Sequence, residues 1–424
     1  MPVIITRIFF KNFFSLGVVQ VINSLLQLVV IPFVISRIGI VQFGVIAVAQ
    51  VVVNYLATFT DYHFNQSSTK TVSLNVADTD LLSSLFSKVY IIKSLLITVA
   101  LIVLLLLYFL LPFVRENFVV YILAYVYVIG YALQPIWFLQ GVEKMQWIAA
   151  ASLASRIIFV VLILLFINNS GDSWQYLFFM GMGLFFSGVT SIFFVYKKFN
   201  LSWRWPALNE ILIEIKAGWH ITASNISMNI MQYGNLFILR IFTNDFTAGY
   251  FSVAERVFFT MKYALSIFSQ AVFPGVCRAA SQSKRVLFRF FKKFFTPFFA
   301  LVIVGCTLVW VIAPQVLSFF INDANPESIF ILRMLCIILP VICLNLPPAL
   351  VLLAYEKNKT YAAVFTAGLL VNILANVILS SAFESVGTVI AIFITELFIT
   401  GLLWLFLKRV LIADSSKTKK GFHP

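Results

Sequence analysis

Residues 89–111 read VYIIKSLLITVALIVLLLLYFLL, an apolar run that carries a single charge, Lys93. A helix rises 1.5 Å per residue, so about 20 apolar residues cross about 30 Å of hydrocarbon. This run is long enough, and the pattern repeats. Twelve such runs fall at 13–35, 41–64, 89–111, 118–139, 147–167, 174–196, 217–239, 247–273, 294–320, 329–353, 361–383 and 386–407. The 424 residues are 61% hydrophobic and 11% charged, with a mean hydropathy of +1.00. Little chain remains for a soluble domain. The prediction is an all-α polytopic membrane protein of about twelve transmembrane helices.

Orientation follows from the basic residues, because Lys and Arg are retained on the cytoplasmic side. Of the 30 Lys and Arg residues, 22 fall on one side of the predicted spans, and only Arg37, Arg115 and Arg240 on the other. Both termini are therefore expected to be cytoplasmic, in agreement with an even number of spans. The net charge of +14 and pI near 9.6 would suit nucleic acid. However, the charges are dispersed over the cytoplasmic loops without a nucleic-acid motif, so topology and anionic lipid headgroups explain them, with membrane lipids as partners and no nucleic acid. The first apolar run is too long for a signal-peptide core and is read as a retained helix. Cys277, Cys306, Cys336 and Cys343 lie in or beside spans without ligand spacing, which predicts neither disulfides nor a metal.

The polar stretch 197–216 divides the chain into halves of six spans each, 1–205 and 206–424. A faint echo supports a repeat. Arg37, Gly44 and Gln50 follow the first span as Arg240, Gly249 and Glu255 follow the seventh. Halves with an even number of spans would be parallel repeats about an axis along the membrane normal. The external loops are very short, whereas the cytoplasmic connections 66–87 and 278–293 are the longest; the second suits either a basic connector or an interfacial amphipathic helix.

Charges deep in hydrocarbon are costly and usually mark a pathway. Arg156 lies near the middle of the fifth span, Glu255 and Arg256 in the eighth, and Glu396 in the twelfth; Lys262 shares the Glu255 face at i, i+7. These residues either line a polar route or pair to pin helices together. Lys93 and Arg333 sit about one turn inside their spans, where long side chains are expected to snorkel to the headgroups. Asp61 ends the second span, at the headgroups or at an ion site. His63 and His220, also near helix ends, are read as solvated or hydrogen-bonded groups. Asn225 and Asn229 belong to a polar run, with Ser224, Ser227, Gln232 and Asn235, that gives the seventh span a wet face. No Walker A, G-x-S-x-G or H-E-x-x-H motif is present, so neither catalysis nor internal nucleotide hydrolysis is expected, and no cofactor is implied.

Several strings resemble the O-antigen flippases (Wzx-type) of the polysaccharide transporter family. They are Asn12-Phe-Phe-Ser-Leu16 with Val19, Gln20 and Asn23; Pro32-Phe33; Arg37-Ile-Gly39; and Phe43-Gly44. The most specific is Pro135-Ile-Trp-Phe-Leu-Gln-Gly141 continuing through Glu143-Lys-Met145 and Trp147 to Ser155-Arg156; Gly249-Tyr-Phe-Ser-Val-Ala254, Phe273-Pro274 and Gly387 through Glu396 add to it. The resemblance implies two six-helix lobes around a central cavity, as in multidrug and toxic-compound extrusion transporters. It also implies a substrate, an undecaprenyl-diphosphate-linked oligosaccharide moved to the periplasmic leaflet of the bacterial inner membrane. Proton or sodium antiport is implied as the drive, with a polysaccharide polymerase and a chain-length regulator as further partners. One departure stands out. Where relatives often carry Gly after an acidic residue and an aromatic, this chain reads Asp61-Tyr62-His63-Phe64-Asn65.

A diphosphate needs cationic contacts, and Arg binds phosphate oxygens bidentately. The expected substrate contacts are therefore Arg156, Arg256, Lys262, Asn225 and Asn229, and the ion-coupling candidates are Glu255, Glu396 and Asp61. Arg156, Arg256 and Lys262 outnumber the two glutamates by one, whereas a cation-exporting drug antiporter of the same superfamily would favour the opposite sign. A membrane polymerase or glycosyltransferase would need a large external loop or an acidic metal-binding loop. Neither is present.

Overall fold

A computed structural model describes residues 29–321 and 325–410 in full, and the backbone alone for 2–28 and 411–420. Arg7, Lys11, Lys417, Lys419, Lys420, the string Asn12 to Leu16 with Val19, Gln20 and Asn23, and loop residues 322–324 lie outside the fully described residues. The chain gathers into two compact units, Met1–Tyr233 and Gly234–Pro424. Among the described residues there is no strand.

The first unit runs through α1 (Pro2–Asp61), α2 (Phe64–Leu74), α3 (Thr79–Leu110), α4 (Pro112–Glu116), α5 (Phe118–Leu133), α6 (Ile136–Gly141), α7 (Met145–Phe166), α8 (Ser173–Lys198) and most of α9 (Leu208–Phe242). The second takes the end of α9, α10 (Asp245–Gln282), α11 (Lys284–Val311), α12 (Ala313–Phe320), α13 (Pro326–Leu344), α14 (Leu346–Ala354) and α15 (Asn358–Lys420).

Two of these helices are each a pair of spans. α1 bends at Gly39, whose φ of 79° favours a residue without Cβ, and α15 bends at Glu384, φ 50°. The bends fall between the first and second and between the eleventh and twelfth predicted spans. By length and composition, eight stretches of the described residues are apolar enough to cross a membrane. α9 and α10 fall outside that set because they carry the polar run from Asn225 to Asn235 and the charges Glu255, Arg256 and Lys262. Adding these two helices and dividing the bent stretches accounts for twelve spans.

The helix faces explain the hydropathy. Leu95, Val99, Ile102, Leu106 and Phe109 form an exposed stripe on α3, while Ile92, Leu96, Ala100 and Leu104 are buried. Both faces are apolar at helical spacing, so the outer one suits lipid rather than water. Caps mark where helices begin: Asp78 accepts from the Leu81 amide, Asn244 from Thr247 and Ser283 from Val286.

The two longest connections are largely helical. Residues 66–87 are mostly helix, with α2 and α3 joined by a turn at 75–78. Residues 278–293 are helix on either side of Ser283, so the basic, Phe-rich segment continues directly into the span of α11. The Asp61-Tyr62-His63 bend persists without glycine. α1 ends at Asp61, α2 begins at Phe64, and Tyr62 itself takes the positive φ, 53°.

Candidate functional site

In the first unit, α5 packs along α8 and α8 along α7. Gly181 makes the α5 contact close. A Cβ there would lie 2.4 Å from the Tyr127 amide nitrogen, so only glycine lets the two backbones approach this far. At its other end α5 stops at Gln134-Pro135, because proline cannot donate into the helix, and the chain restarts as α6.

A cavity of about 280 Å³ lies beside this break. Tyr127 and Tyr131 of α5, Gln134, Ser152, Ser155 and Arg156 of α7, and Ser187 and Ser191 of α8 line it together with apolar side chains from α6 to α8. The two tyrosines lie one helical turn apart with near-parallel rings, 26° between planes and 6.2 Å between centroids. Gln134 is anchored, donating to the Leu184 carbonyl at 2.8 Å. Arg156 Nη1 is buried without a hydrogen-bond partner among the described residues. Among those residues no carboxylate lines the cavity, and Arg156 is its one formal charge. A buried guanidinium nitrogen left unbonded is costly, and an oxyanion is the group best suited to meet it.

Asp61 and Lys93 form a buried pair in the same unit. Lys93 is 1% exposed, and its Nζ lies 3.0 Å from Asp61 Oδ1 and 3.2 Å from the Ala132 carbonyl. Asn65 also donates to the other Asp61 oxygen. The expectation that Lys93 snorkels to the headgroups is thereby overturned, because a carboxylate within the bundle outcompetes the distant aqueous surface. Arg333 instead lies 4.7 Å over the Trp310 ring and donates to its carbonyl.

A second charged cluster ties α9 to the other helices of the unit. His63, buried, lies 3.1 Å from Glu214 Oε1, and Lys88 Nζ lies 3.0 Å from Oε2. The His63 hydrogen bond and the Lys88 ammonium hold the Glu214 carboxyl down to about 2, against the opposing effect of burial. Tyr62 donates to the Ile215 carbonyl at 2.5 Å, and Asn225 donates to the Tyr62 carbonyl at 3.4 Å. Asn229 in turn donates to the Asn225 carbonyl at 3.1 Å. Asn225 thus braces the bend, and His63 is hydrogen-bonded rather than solvated.

In the second unit Glu255 and Glu396 are 6% and 7% exposed. Lys262 acts electrostatically on both, and Arg256 on Glu255. Asn345 donates to Glu396 Oε2 at 3.0 Å, while Thr400 donates to Asn345 Oδ1 at 2.5 Å. The unit therefore brings Glu255, Lys262 and Glu396 into one electrostatic group, and Arg156 belongs to the other unit. Sequence reasoning missed Tyr127, Tyr131, Gln134, Asn345 and the Glu214 cluster. Only Glu214 carried a readable signal, as a carboxylate two residues from Lys216 at a predicted helix entry. Among the described residues no group of three or more His, Cys, Asp or Glu gathers in a way that would hold a metal.

The family model described as "Polysaccharide biosynthesis protein" matches residues 9–279. The chain is 23% identical over 402 residues to a protein of Escherichia coli (strain K12) named "Putative O-antigen transporter", covering 94% of this chain and 96% of that one. A Shigella dysenteriae protein of the same name is 27% identical over 63% of this chain and 67% of its own length. Among solved structures, the lipid II flippase MurJ in an inward closed conformation superposes with a TM-score of 0.72 at 14% identity, over 92% of this chain and 87% of that one. An inward-facing multidrug resistance MATE family transporter of the MOP superfamily gives 0.66 at 15% identity, over 94% and 95%.

Proposed function

Because the chain belongs to the polysaccharide biosynthesis protein family, we propose that it is a flippase for a lipid-linked oligosaccharide. The substrate is an undecaprenyl-diphosphate-linked repeat unit, carried from the cytoplasmic to the periplasmic leaflet of a bacterial inner membrane for O-antigen or another surface polysaccharide. The observation that carries this reading is the Arg156 cavity, where the guanidinium is the one formal charge among the lining residues and its Nη1 has no hydrogen-bond partner among the described residues. The relatives named as O-antigen transporters support the substrate class.

In this reading the halves 1–205 and 206–424 are the two moving lobes of alternating access, with both termini cytoplasmic. Arg156, Arg256 and Lys262 meet the diphosphate or acidic sugars, with Asn225 and Asn229 on the wet face of α9. The polyprenyl tail stays in lipid, so the protein has only to shelter the polar head. Transport is the whole task; no bond is made or broken. A proton or sodium gradient drives it through Glu255 and Glu396 first and Asp61 third. A polysaccharide polymerase and chain-length regulator act on the delivered product.

Deletion of the gene tests this. Surface polysaccharide should be lost and lipid-linked repeat units should accumulate on the inner leaflet. Arg156→Ala and Arg256→Ala should each reproduce the loss at normal membrane insertion, with partial rescue by Lys, which keeps the charge but not the bidentate geometry. Full surface polysaccharide in both Ala variants at normal expression would remove the assignment.

A further inference from the structure

The Arg156 cavity has features that a simple anion hook does not need. At about 280 Å³ it lies just below the roughly 300–1,000 Å³ of ordinary small-molecule pockets. That space suits one sugar ring with one small charged substituent, and it excludes a whole repeat unit. Its contents are also asymmetric. Arg156 supplies one cationic nitrogen, while Tyr127 and Tyr131 supply an aromatic strip two rings long on the α5 side. Phosphate alone would gain nothing from that strip. A pyranose has one face rich in C–H groups, which suits the negative face of an aromatic ring, and a rim of hydroxyls that need donors and acceptors. Gln134, Ser152 and Ser155 provide polar groups on the same walls.

We propose that this cavity is a monosaccharide subsite. It takes one pyranose ring bearing an anionic oxygen group, with the anion on Arg156 and the ring against Tyr127 and Tyr131. This deepens the flippase reading and rests on it for the origin of the sugar. The anion comes either from the phosphate on the first sugar or from the carboxylate of an acidic sugar. Both have the same chemistry for a guanidinium. Such a subsite makes Tyr127 and Tyr131 determinants of which sugar is carried, whereas Arg156 serves every anionic substrate alike.

The test uses the purified full-length protein in detergent, with glucose 1-phosphate, glucuronate, methyl glucoside and inorganic phosphate as probes, and calorimetry or saturation-transfer NMR as readout. At least one of glucose 1-phosphate and glucuronate should bind tenfold or more tighter than methyl glucoside and than phosphate. Which of the two binds tighter identifies the source of the anion. Arg156→Ala should abolish that advantage and Arg156→Lys should restore part of it. Tyr127→Ala or Tyr131→Ala should weaken the sugar anion at least fivefold and leave phosphate unchanged, while Phe at either position should retain binding. A thermal midpoint within a few degrees of wild type establishes that each variant is folded, and the Phe variants carry the test if an Ala variant is not.

Equal binding of phosphate and the sugar anions would overturn the subsite, as would tyrosine variants that change nothing. If Arg156→Ala abolishes surface polysaccharide while the tyrosine variants bind and transport normally, the subsite falls and the flippase stands. If the sugar anions bind as described but gene deletion leaves surface polysaccharide intact, the flippase reading falls and the subsite stands.

Discussion

Lys93 reaches from α3 to place its ammonium 3.0 Å from the Asp61 carboxylate at the end of α1, with the Lys93 side chain 1% and the Asp61 side chain 14% exposed. Removing one member strands the other in low dielectric, whereas removing both leaves only packing to repair. Asp61→Asn and Lys93→Met should each lower stability by about 3–5 kcal/mol, the range for breaking a buried pair. The double variant should cost much less than their sum. Unfolding in detergent, run as a double-mutant cycle, reads this directly, and additive losses would show that the pair is not coupled.

The Glu214 cluster predicts an acid-sensitive tether. Its carboxyl is held at about 2 in the folded protein against an ordinary 4.5, chiefly by the His63 hydrogen bond and then by Lys88. A depressed carboxyl contributes stability that is fully present above its unfolded value and is lost as pH falls toward the folded one. The thermal midpoint should therefore drop between about pH 4.5 and pH 2, and Glu214→Gln should flatten that part of the profile. Equal slopes for wild type and Glu214→Gln would place the acid sensitivity elsewhere.

What the sequence disclosed and what it concealed follow from the range of the signals. Hydropathy is a local sum over about 20 residues, so the spans were legible, and the gaps between them at 36–40 and 384–385 contain the bends at Gly39 and Glu384. Arg156 was legible for the same reason, as a charge inside an apolar run. Lys93 misled because its depth along α3 is local information, whereas its partner Asp61 belongs to another helix. Tyr127 and Tyr131 were silent because an aromatic residue in a transmembrane helix is ordinary, and only packing against α7 and α8 turns these rings toward a cavity. The bend at Tyr62 shows a further limit. Glycine is the usual bearer of positive φ, yet here Tyr62 adopts it while its hydroxyl bonds the Ile215 carbonyl.

Topology is testable independently of function. With 22 basic residues assigned to one side and three to the other, a phosphatase fused after Lys420 should be inactive in cells. A cysteine at Asp172, in the short turn between α7 and α8, should be labelled from the periplasm by a membrane-impermeant reagent. Periplasmic phosphatase activity, or labelling at 172 only after the cytoplasm is opened, would invert the orientation and with it the direction of flipping.

If the proposed flippase draws on an ion gradient, the first coupling candidates are the two glutamates of the second unit. Glu396 accepts from Asn345, which also accepts from Thr400, so a short polar chain holds the carboxylate in place. Lys262 acts on both Glu396 and Glu255, so a change of charge at either glutamate alters what the other feels. Loading a proton or sodium ion there would weaken the hold on Lys262 and free it for the anionic substrate. Unloading would draw it back. Glu396→Gln and Glu255→Gln should therefore each reduce the response of flipping to an imposed proton or sodium gradient in proteoliposomes, and the double variant should remove it. Substrate binding at Arg156, in the other unit, should be unaffected. Asp61→Asn, read at matched protein stability by pairing it with Lys93→Met, separates a coupling role from the structural pair. If all three carboxylates can be neutralised with the wild-type gradient response retained, the protein is a passive facilitator or its coupling lies outside these groups.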